Sequence, residues 1–210
     1  MKSRVVLVVL AAGQGSRFGP GAHKLSQKLG SSTVLGTTLE QALISQLSVV
    51  VVTTAALANL AQQTVAAGDL VVIPEVNTTG NNKHSASANL GMGYSIAHGV
   101  LARPQASGWL VLPGDMPMVQ AATLQAVAAQ LEHHAVVYAQ HLGRRGHPVG
   151  FAAELYSELV ALQGDEGARR LIARYAAHPV DVQDQGVLMD VDTPMDLEHA
   201  RRSHAAIAMR

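Results

Sequence analysis

Short apolar runs alternate with longer segments of helical periodicity over the first two thirds of the chain. The apolar runs contain no alternating polar positions, as expected of strands that are buried on both faces of a parallel sheet. These predicted strands cover residues 5–10, 49–52, 70–73, 109–112 and 135–139. The predicted helices cover residues 33–46, 55–66, 94–102 and 121–133. The β-α-β-α-β order predicts right-handed crossovers and a parallel sheet.

The pattern changes in the last third of the chain. A glycine-flanked apolar run over 143–150 predicts a turn and an antiparallel strand. The elements predicted after it are helices over 152–162 and 166–175, strands over 180–182 and 187–189, and a helix over 194–207. Neither a repeat nor a linker interrupts the sequence. We therefore expect one domain over residues 1–210, an α/β doubly wound, mostly parallel sheet with a small antiparallel C-terminal part.

Composition narrows the classes of protein. Hydrophobic residues make up 48% of the chain and aromatic residues only 3%, so Val, Leu, Ala and Ile must fill the core. The absence of cysteine excludes a disulfide scaffold, thiolate metal sites and a cysteine nucleophile. Fifteen basic residues balance fifteen acidic ones, which gives no electrostatic signal for nucleic acid or an anionic membrane. No apolar run is long enough for a spanning helix, and we expect a cytoplasmic protein.

The first candidate site is the loop that follows the first predicted strand. In parallel sheets, ligands bind beyond the carboxyl ends of the strands. Gly13 and Gly15 allow close backbone approach, while Arg17 and Lys24 add two cations, so the loop is suited to a polyphosphate. The spacing matches neither a P-loop nor a dinucleotide fingerprint, which would need glycine at Phe18. A glycine-rich turn without a ligand is the alternative.

Acidic residues follow two other predicted strands. Asp115 lies after the fourth strand, and Asp190 and Asp192 precede the last helix. Mg²⁺ takes one or two carboxylates together with phosphate oxygens and water, so one acid from each segment matches a shared metal. A turn role for Asp115, and helix capping by Asp192 or Thr193, are the structural alternatives.

Six segments occur together in a recognisable order. They read LAAGQGSRFG…HK, GMGYSIAHGV, LPGDMP, GRRGHPVGF, GDEGARRL and DVDTPMDL. This combination, which extends over residues 5–197, resembles the MobA-like nucleotidyltransferases, and within them the molybdenum cofactor cytidylyltransferase branch. The resemblance implies transfer of CMP from CTP to the terminal phosphate of the molybdopterin cofactor, with release of pyrophosphate. It also implies a molybdenum hydroxylase as recipient of the product.

The resemblance further implies a set of site residues. The nucleotide-binding residues would be Leu10, Ala11, Ala12, Gly13, Gly15, Ser16, Arg17, Lys24 and Gly114. Arg17, Lys24 and Asp115 would be catalytic, and Asp115 and Asp192 would bind Mg²⁺, with Mn²⁺ as an alternative. Relatives that transfer guanylate usually carry glycine where this chain has Ala12, which favours CTP. Pro113 departs from the leucine that is common in this branch.

The acceptor would bind to a more polar part of the chain. The residues implied are Gly91, Ser95, His147 and Asp165, beside the polar loop 77–95. Arg144 and Arg145 either contact an anionic acceptor or form a solvated hairpin tip. The alternatives are a relative that uses GTP, another nucleotide or a sugar phosphate, and a nucleotide- or cofactor-binding module without turnover. A dinucleotide-binding oxidoreductase is disfavoured by Phe18.

Overall fold

Strands and helices alternate through the residues that the computed structural model describes, which are 4–13, 15, 18, 23–74, 91–164 and 168–208. The strands are β1 Val6–Ala11, β2 Lys28–Leu29, β3 Ser32–Thr33, β4 Ser48–Thr53, β5 Leu70–Val72, β6 Gly108–Pro113, β7 Val136–His141, β8 Arg144–Ala152 and β9 His178–Asp181. The helices are α1 Val34–Ile44, α2 Ala55–Ala61, α3 Met92–Leu101, α4 Ala121–Ala129, α5 Tyr156–Val160, α6 Arg169–Arg174 and α7 Pro194–Ala208.

Seven of these strands form one sheet in the order β5-β4-β1-β6-β8-β7-β9. All of its strands run parallel except β8, which is antiparallel to both β6 and β7. A two-residue turn joins β7 to β8, with positive φ at Leu142 and Gly143, as in the tight turns that suit twisted hairpins. The predicted α/β, mostly parallel fold with an antiparallel C-terminal part is therefore confirmed.

The sheet is covered on both faces, and this explains its apolar runs. Along β1, Leu7 and Val9 face one hydrophobic cluster, which the helices α1, α2, α4 and α7 complete. Val6 and Val8 face the other cluster, which α3, α5 and α6 complete. A strand with both faces buried has no position for a polar residue, which is why the pattern of β1 is continuous rather than alternating.

Helix α3 packs unusually close to the sheet. A Cβ atom on Gly99 would lie 2.3 Å from Cγ1 of Val8 and 3.0 Å from Cγ2 of Val52. Because these atoms belong to β1 and β4, a larger residue would push the helix away from the two strands. This contact fixes the distance of α3 from the middle of the sheet.

One predicted strand is wrong. Residues 187–189 do not pair with the sheet, and Gln185–Leu188 forms a 3-10 helix instead. The cause is Asp184, whose buried carboxylate accepts hydrogen bonds from the Gly186 and Gln120 backbone N–H groups and from the Thr123 hydroxyl, at 2.7–2.9 Å. These bonds hold the segment as a turn against the start of α4.

Several predicted helices are shorter than their patterns, and two of them show the reason. The helix expected over 55–66 ends at Ala61, and the one expected over 121–133 ends at Ala129 and continues as a 3-10 turn over Gln130–Glu132. After α2 the chain turns further, with the Val65 N–H bonded to the Ala61 carbonyl. Such turns bury side chains at helical spacing, so periodicity overestimates the helix. Within the described residues, no helix is long and apolar enough to cross a membrane.

We expect Asp184→Ala to destabilise the fold. The substitution leaves two buried backbone N–H groups and one hydroxyl without their acceptor, which should lower the free energy of unfolding by about 2–4 kcal/mol. Asp181→Ala is the matched control, because Asp181 is exposed and bonds one side chain, that of Gln140, and it should change stability by about 0.5 kcal/mol or less. Urea unfolding of both variants measures the difference, and equal effects would contradict this role of Asp184.

Candidate functional site

A cleft of about 930 Å³ opens at the carboxyl ends of β1 and β6. The loop after β1, the start of α3, the β7–β8 hairpin and the segment before α7 surround it. The predicted site residues that line it are Leu10, Ala12, Gly13, Gly15, Lys24, Gly91, Ser95, Asp115, His147 and Asp192. Ala11 and Gly114 are buried beside it. Ser16, Arg17, Asp165 and residues 77–90 of the polar loop lie outside the described residues.

Lys24 forms the central contact of the cleft. Its Nζ lies 2.5 Å from Oδ2 of Asp115 and 2.5 Å from Oδ1 of Asp192, which are 91 and 168 residues away in sequence. The Lys24 side chain is 11% exposed. Burial lowers the pKa of Lys24, but the two carboxylates raise it by more, so the pKa lies above its usual value. Lys24 is therefore a charged ammonium at neutral pH.

The backbone around Asp115 brings the two acids together. Gly114 donates its N–H to the Leu10 carbonyl at 2.8 Å, and its own carbonyl accepts from the Thr38 hydroxyl at 2.9 Å. A Cβ atom on Gly114 would lie 3.0 Å from the Leu10 oxygen, so glycine permits this close approach. The Val191 N–H then donates to the Asp115 carbonyl at 2.9 Å, which places the neighbouring Asp192 beside Asp115.

The hydrogen bonds at the start of α7 show whether Asp192 or Thr193 caps this helix. The Asp196 N–H donates to the Thr193 hydroxyl oxygen at 3.2 Å, and the Asp196 carboxylate accepts from the Thr193 N–H at 2.7 Å. This reciprocal pair is a capping box. The Thr193 hydrogen bonds hold the pKa of Asp196 below its usual value. Thr193 and not Asp192 therefore caps the helix, and the Asp192 side chain contacts Lys24 instead.

His23 connects the glycine loop to the segment of Lys24, a role that the sequence pattern did not predict. Its Nδ1 accepts from the Leu25 N–H at 3.2 Å, so Nε2 carries the proton and donates to the Gly13 carbonyl at 2.7 Å. Gly15 has a φ of +62°, and a Cβ atom there would lie 3.2 Å from Cγ of Lys24. The only available signal was the position of a histidine directly before Lys24.

A family model described as MobA-like NTP transferase domain matches residues 7–180. The chain belongs to this family. Purine catabolism protein PucB of Bacillus subtilis (strain 168) is 30% identical over 202 residues, which cover 93% of this chain and 95% of PucB. The expected resemblance to MobA-like nucleotidyltransferases is thereby confirmed.

Solved structures agree with this membership. The homologue of Mycobacterium tuberculosis Rv0371c from Mycobacterium sp. strain JC1 is 28% identical, with a TM-score of 0.80 and coverage of 99% of this chain and 100% of that one. Rv0371c of M. tuberculosis in a complex with manganese is 26% identical, with a TM-score of 0.74 and coverage of 96% and 100%. The family match includes Lys24 and Asp115 but ends before Asp192.

Two carboxylates of this MobA-like transferase are candidate metal ligands. Oδ1 of Asp115 is buried and has no hydrogen-bond partner among the described residues, so it can take a further ligand. Among all the residues that the structure describes, no group of three or more His, Asp or Glu side chains is arranged to hold a metal ion. Asp115 and Asp192 therefore suit Mg²⁺ or Mn²⁺ bound together with phosphate oxygens, because such ions need few protein ligands.

His147 lies at the opposite wall of the cleft, on β8. Its Nδ1 is buried and has no hydrogen-bond partner within the described ranges. Burial lowers the pKa of His147, although Asp115 and Asp190 oppose this effect, so the ring is neutral at pH 7. The neighbouring Arg145 lies 4.5 Å from the centre of the Tyr138 ring. This wall thus presents a neutral imidazole beside the exposed arginines of the hairpin.

Two substitutions separate the contacts of His23. In His23→Asn the side-chain oxygen can replace Nδ1 and keep the bond from the Leu25 N–H, whereas in His23→Gln the amide can replace only the Nε2 donor. Loss of such a cap typically costs about 1 kcal/mol. We therefore expect the Leu25 amide to exchange its hydrogen about fivefold faster in His23→Gln than in His23→Asn, measured by NMR. Equal exchange in the two variants would contradict the assignment of the ring nitrogens.

Proposed function

We propose that this MobA-like transferase moves CMP from CTP to the terminal phosphate of the molybdopterin cofactor and releases pyrophosphate. The observation that carries the proposal is the cluster of Lys24, Asp115 and Asp192 directly below the glycine loop. A buried ammonium and two carboxylates beside exposed backbone provide both the positive groups and the metal ligands that a triphosphate requires. The resemblance of six segments to the cytidylyltransferase branch supports the choice of substrates.

The nucleotide would bind along the loop after β1. The proposed contacts are Leu10, Ala11, Ala12, Gly13, Gly15, Ser16, Arg17, Lys24 and Gly114. Backbone N–H groups of the loop would hold the phosphates, with Arg17 and Lys24 supplying positive charge. The methyl group of Ala12, which lines the cleft, would narrow the pocket for the base and favour cytosine over guanine.

The acceptor would bind on the other side of the cleft. Gly91, Ser95 and His147 line that side, and Asp165 completes the proposed set. A neutral His147 can exchange hydrogen bonds with a pterin ring without adding charge. The product would pass to a molybdenum hydroxylase. We also take residues 1–210 as one domain of a cytoplasmic enzyme.

Catalysis in this proposal depends on position and charge. An oxygen of the acceptor phosphate attacks the α-phosphorus of CTP, and the bond from that phosphorus to the oxygen bridging to the β-phosphate breaks. Pyrophosphate leaves with the electron pair. A phosphate monoester has its second pKa near 6, so the attacking group is largely a dianion at pH 7 and needs no general base.

The protein groups would stabilise the charge that develops. Lys24 and Arg17 would neutralise the triphosphate oxygens, and the loop would align the α-phosphate for in-line attack. Mg²⁺ held by Asp115 and Asp192 would supply further charge neutralisation on the phosphates, with Mn²⁺ as an alternative ion. The manganese in the Rv0371c complex supports a divalent ion in this family.

Pyrophosphate release with each of four nucleotides tests the substrates. We expect release with CTP only when molybdopterin is present, and at least about tenfold less with ATP, GTP or UTP. A preference for GTP, or turnover with a sugar phosphate in place of molybdopterin, would contradict the proposed specificity and indicate a related transferase. Tight binding of CTP without pyrophosphate release would indicate a binding module.

Asp115→Asn tests the carboxylate. The change preserves size and one oxygen but removes the charge that faces Lys24, so turnover should fall by at least about 100-fold while the circular dichroism spectrum is retained. Asp190→Asn is the matched control, because Asp190 lines the same cleft but forms no contact with Lys24 comparable to those of Asp115 and Asp192. Near-normal turnover in Asp115→Asn would contradict the proposed mechanism.

A further inference from the structure

Lys24 competes with the proposed metal for the same two carboxylates. Its ammonium lies 2.5 Å from one oxygen of Asp115 and 2.5 Å from one oxygen of Asp192, while Mg²⁺ binds such oxygens at about 2.0–2.1 Å. Two cations at these distances from the same carboxylates would repel each other strongly. The ammonium and a divalent ion therefore cannot both occupy the space between the acids.

The net charge of the cluster also weakens the binding of a free divalent ion. Two carboxylates carry two negative charges, and the Lys24 ammonium cancels one of them. A free divalent ion that approaches this cluster meets half of the negative charge that the two acids alone would present.

A triphosphate provides a second position for the ammonium. The Lys24 stem passes below the glycine loop, where Cγ would lie 3.2 Å from a Cβ atom on Gly15. The lysine side chain has a flexible four-carbon stem, so a rotation about that stem moves the ammonium from the carboxylates toward phosphates in the loop. The backbone contacts that place Asp115 and Asp192 involve other atoms, and the acids need not move.

We propose that Lys24 makes the carboxylate pair selective for a metal that arrives with a nucleoside triphosphate. Without nucleotide, the ammonium holds both acids and keeps a free divalent cation out. When a triphosphate enters, its oxygens bind the ammonium and the carboxylates become available to the metal. This inference rests on the metal ligands named in the proposed function, and it adds that Lys24 determines the form in which the metal binds.

Coupled binding follows from this exchange. If the triphosphate raises the affinity for the metal, the metal must raise the affinity for the triphosphate by the same factor, and such couplings are typically 5–150-fold. The site would then bind the metal–nucleotide complex in preference to either component. An ion that reaches the site alone would be held more weakly by the same factor.

Mn²⁺ binding without nucleotide is the direct test. We measure free Mn²⁺ by electron paramagnetic resonance in titrations of the wild type, Lys24→Met and Arg144→Met. Lys24→Met should bind Mn²⁺ at least about tenfold more tightly than the wild type. Arg144→Met removes an equal charge from the same cleft, and it should gain less than about threefold. Equal gains in the two variants would mean a general charge effect and would overturn the proposal.

Two further variants test whether the gained Mn²⁺ site uses Asp115 and whether loss of the Lys24 charge causes the gain. Lys24→Met combined with Asp115→Asn should lose the tight Mn²⁺ binding, because the gained site uses Asp115. Lys24→Gln keeps a hydrogen-bond donor toward the carboxylates without the charge, and it should show the same gain if Lys24→Met does not fold. Circular dichroism checks the fold of each protein. No gain in either folded single variant overturns the role of Lys24.

The affinity of the wild type for CTP, measured by calorimetry with and without Mn²⁺, shows whether the role of Lys24 or the assignment of the metal ligands is wrong. Mn²⁺ should raise the affinity for CTP at least fivefold. If it does not, the metal ligands in the proposed function are wrong, and the present inference falls with them. If it does, but the Lys24 variants bind free Mn²⁺ no better than the wild type, only the role of Lys24 is wrong.

Discussion

The contact of Lys24 with Asp115 and Asp192 joins three segments that are distant in sequence, and the cleft depends on it. Two carboxylates this close would repel without a cation between them. Each acid is in turn placed by backbone: Asp115 by the approach of Gly114 to Leu10, and Asp192 by the bond from Val191 to Asp115. The sheet therefore sets the positions of the charges, and the lysine makes their proximity stable.

The order of the strands explains why these groups meet. β1 lies between β4 and β6 with all three parallel, so the loop after β1 and the loop after β6 leave the sheet side by side. Both faces of β1 are buried by helices, which leaves only its carboxyl end for chemistry. The reversed strand β8 brings His147 to the same edge from the opposite direction.

The sequence was sufficient for the elements whose side chains face apolar surroundings on every side. The runs that became β1, β4 and β6 could be read from hydrophobicity alone. It failed at 187–189, where Val187 is buried but Asp184 bonds the backbone into a turn. Local pattern cannot distinguish these cases, because two partners of Asp184, Gln120 and Thr123, lie at the start of α4, more than 60 residues away. His23 was missed for a similar reason, since its bond to Gly13 exists only once the loop is folded.

The energetics of the cluster of Lys24, Asp115 and Asp192 indicate that these charges serve chemistry more than the stability of the fold. Burying an ammonium and two carboxylates removes water from all three, and the attraction between them does little more than offset that loss. The two hydrophobic clusters already hold the sheet, and the capping box of Thr193 and Asp196 already fixes the start of α7. Replacement of a buried ion pair by well-packed apolar side chains is often neutral or even stabilising. Charges that add little to the stability of the fold, gathered beside a glycine loop at the carboxyl edge, suit the phosphates and the metal of the proposed reaction.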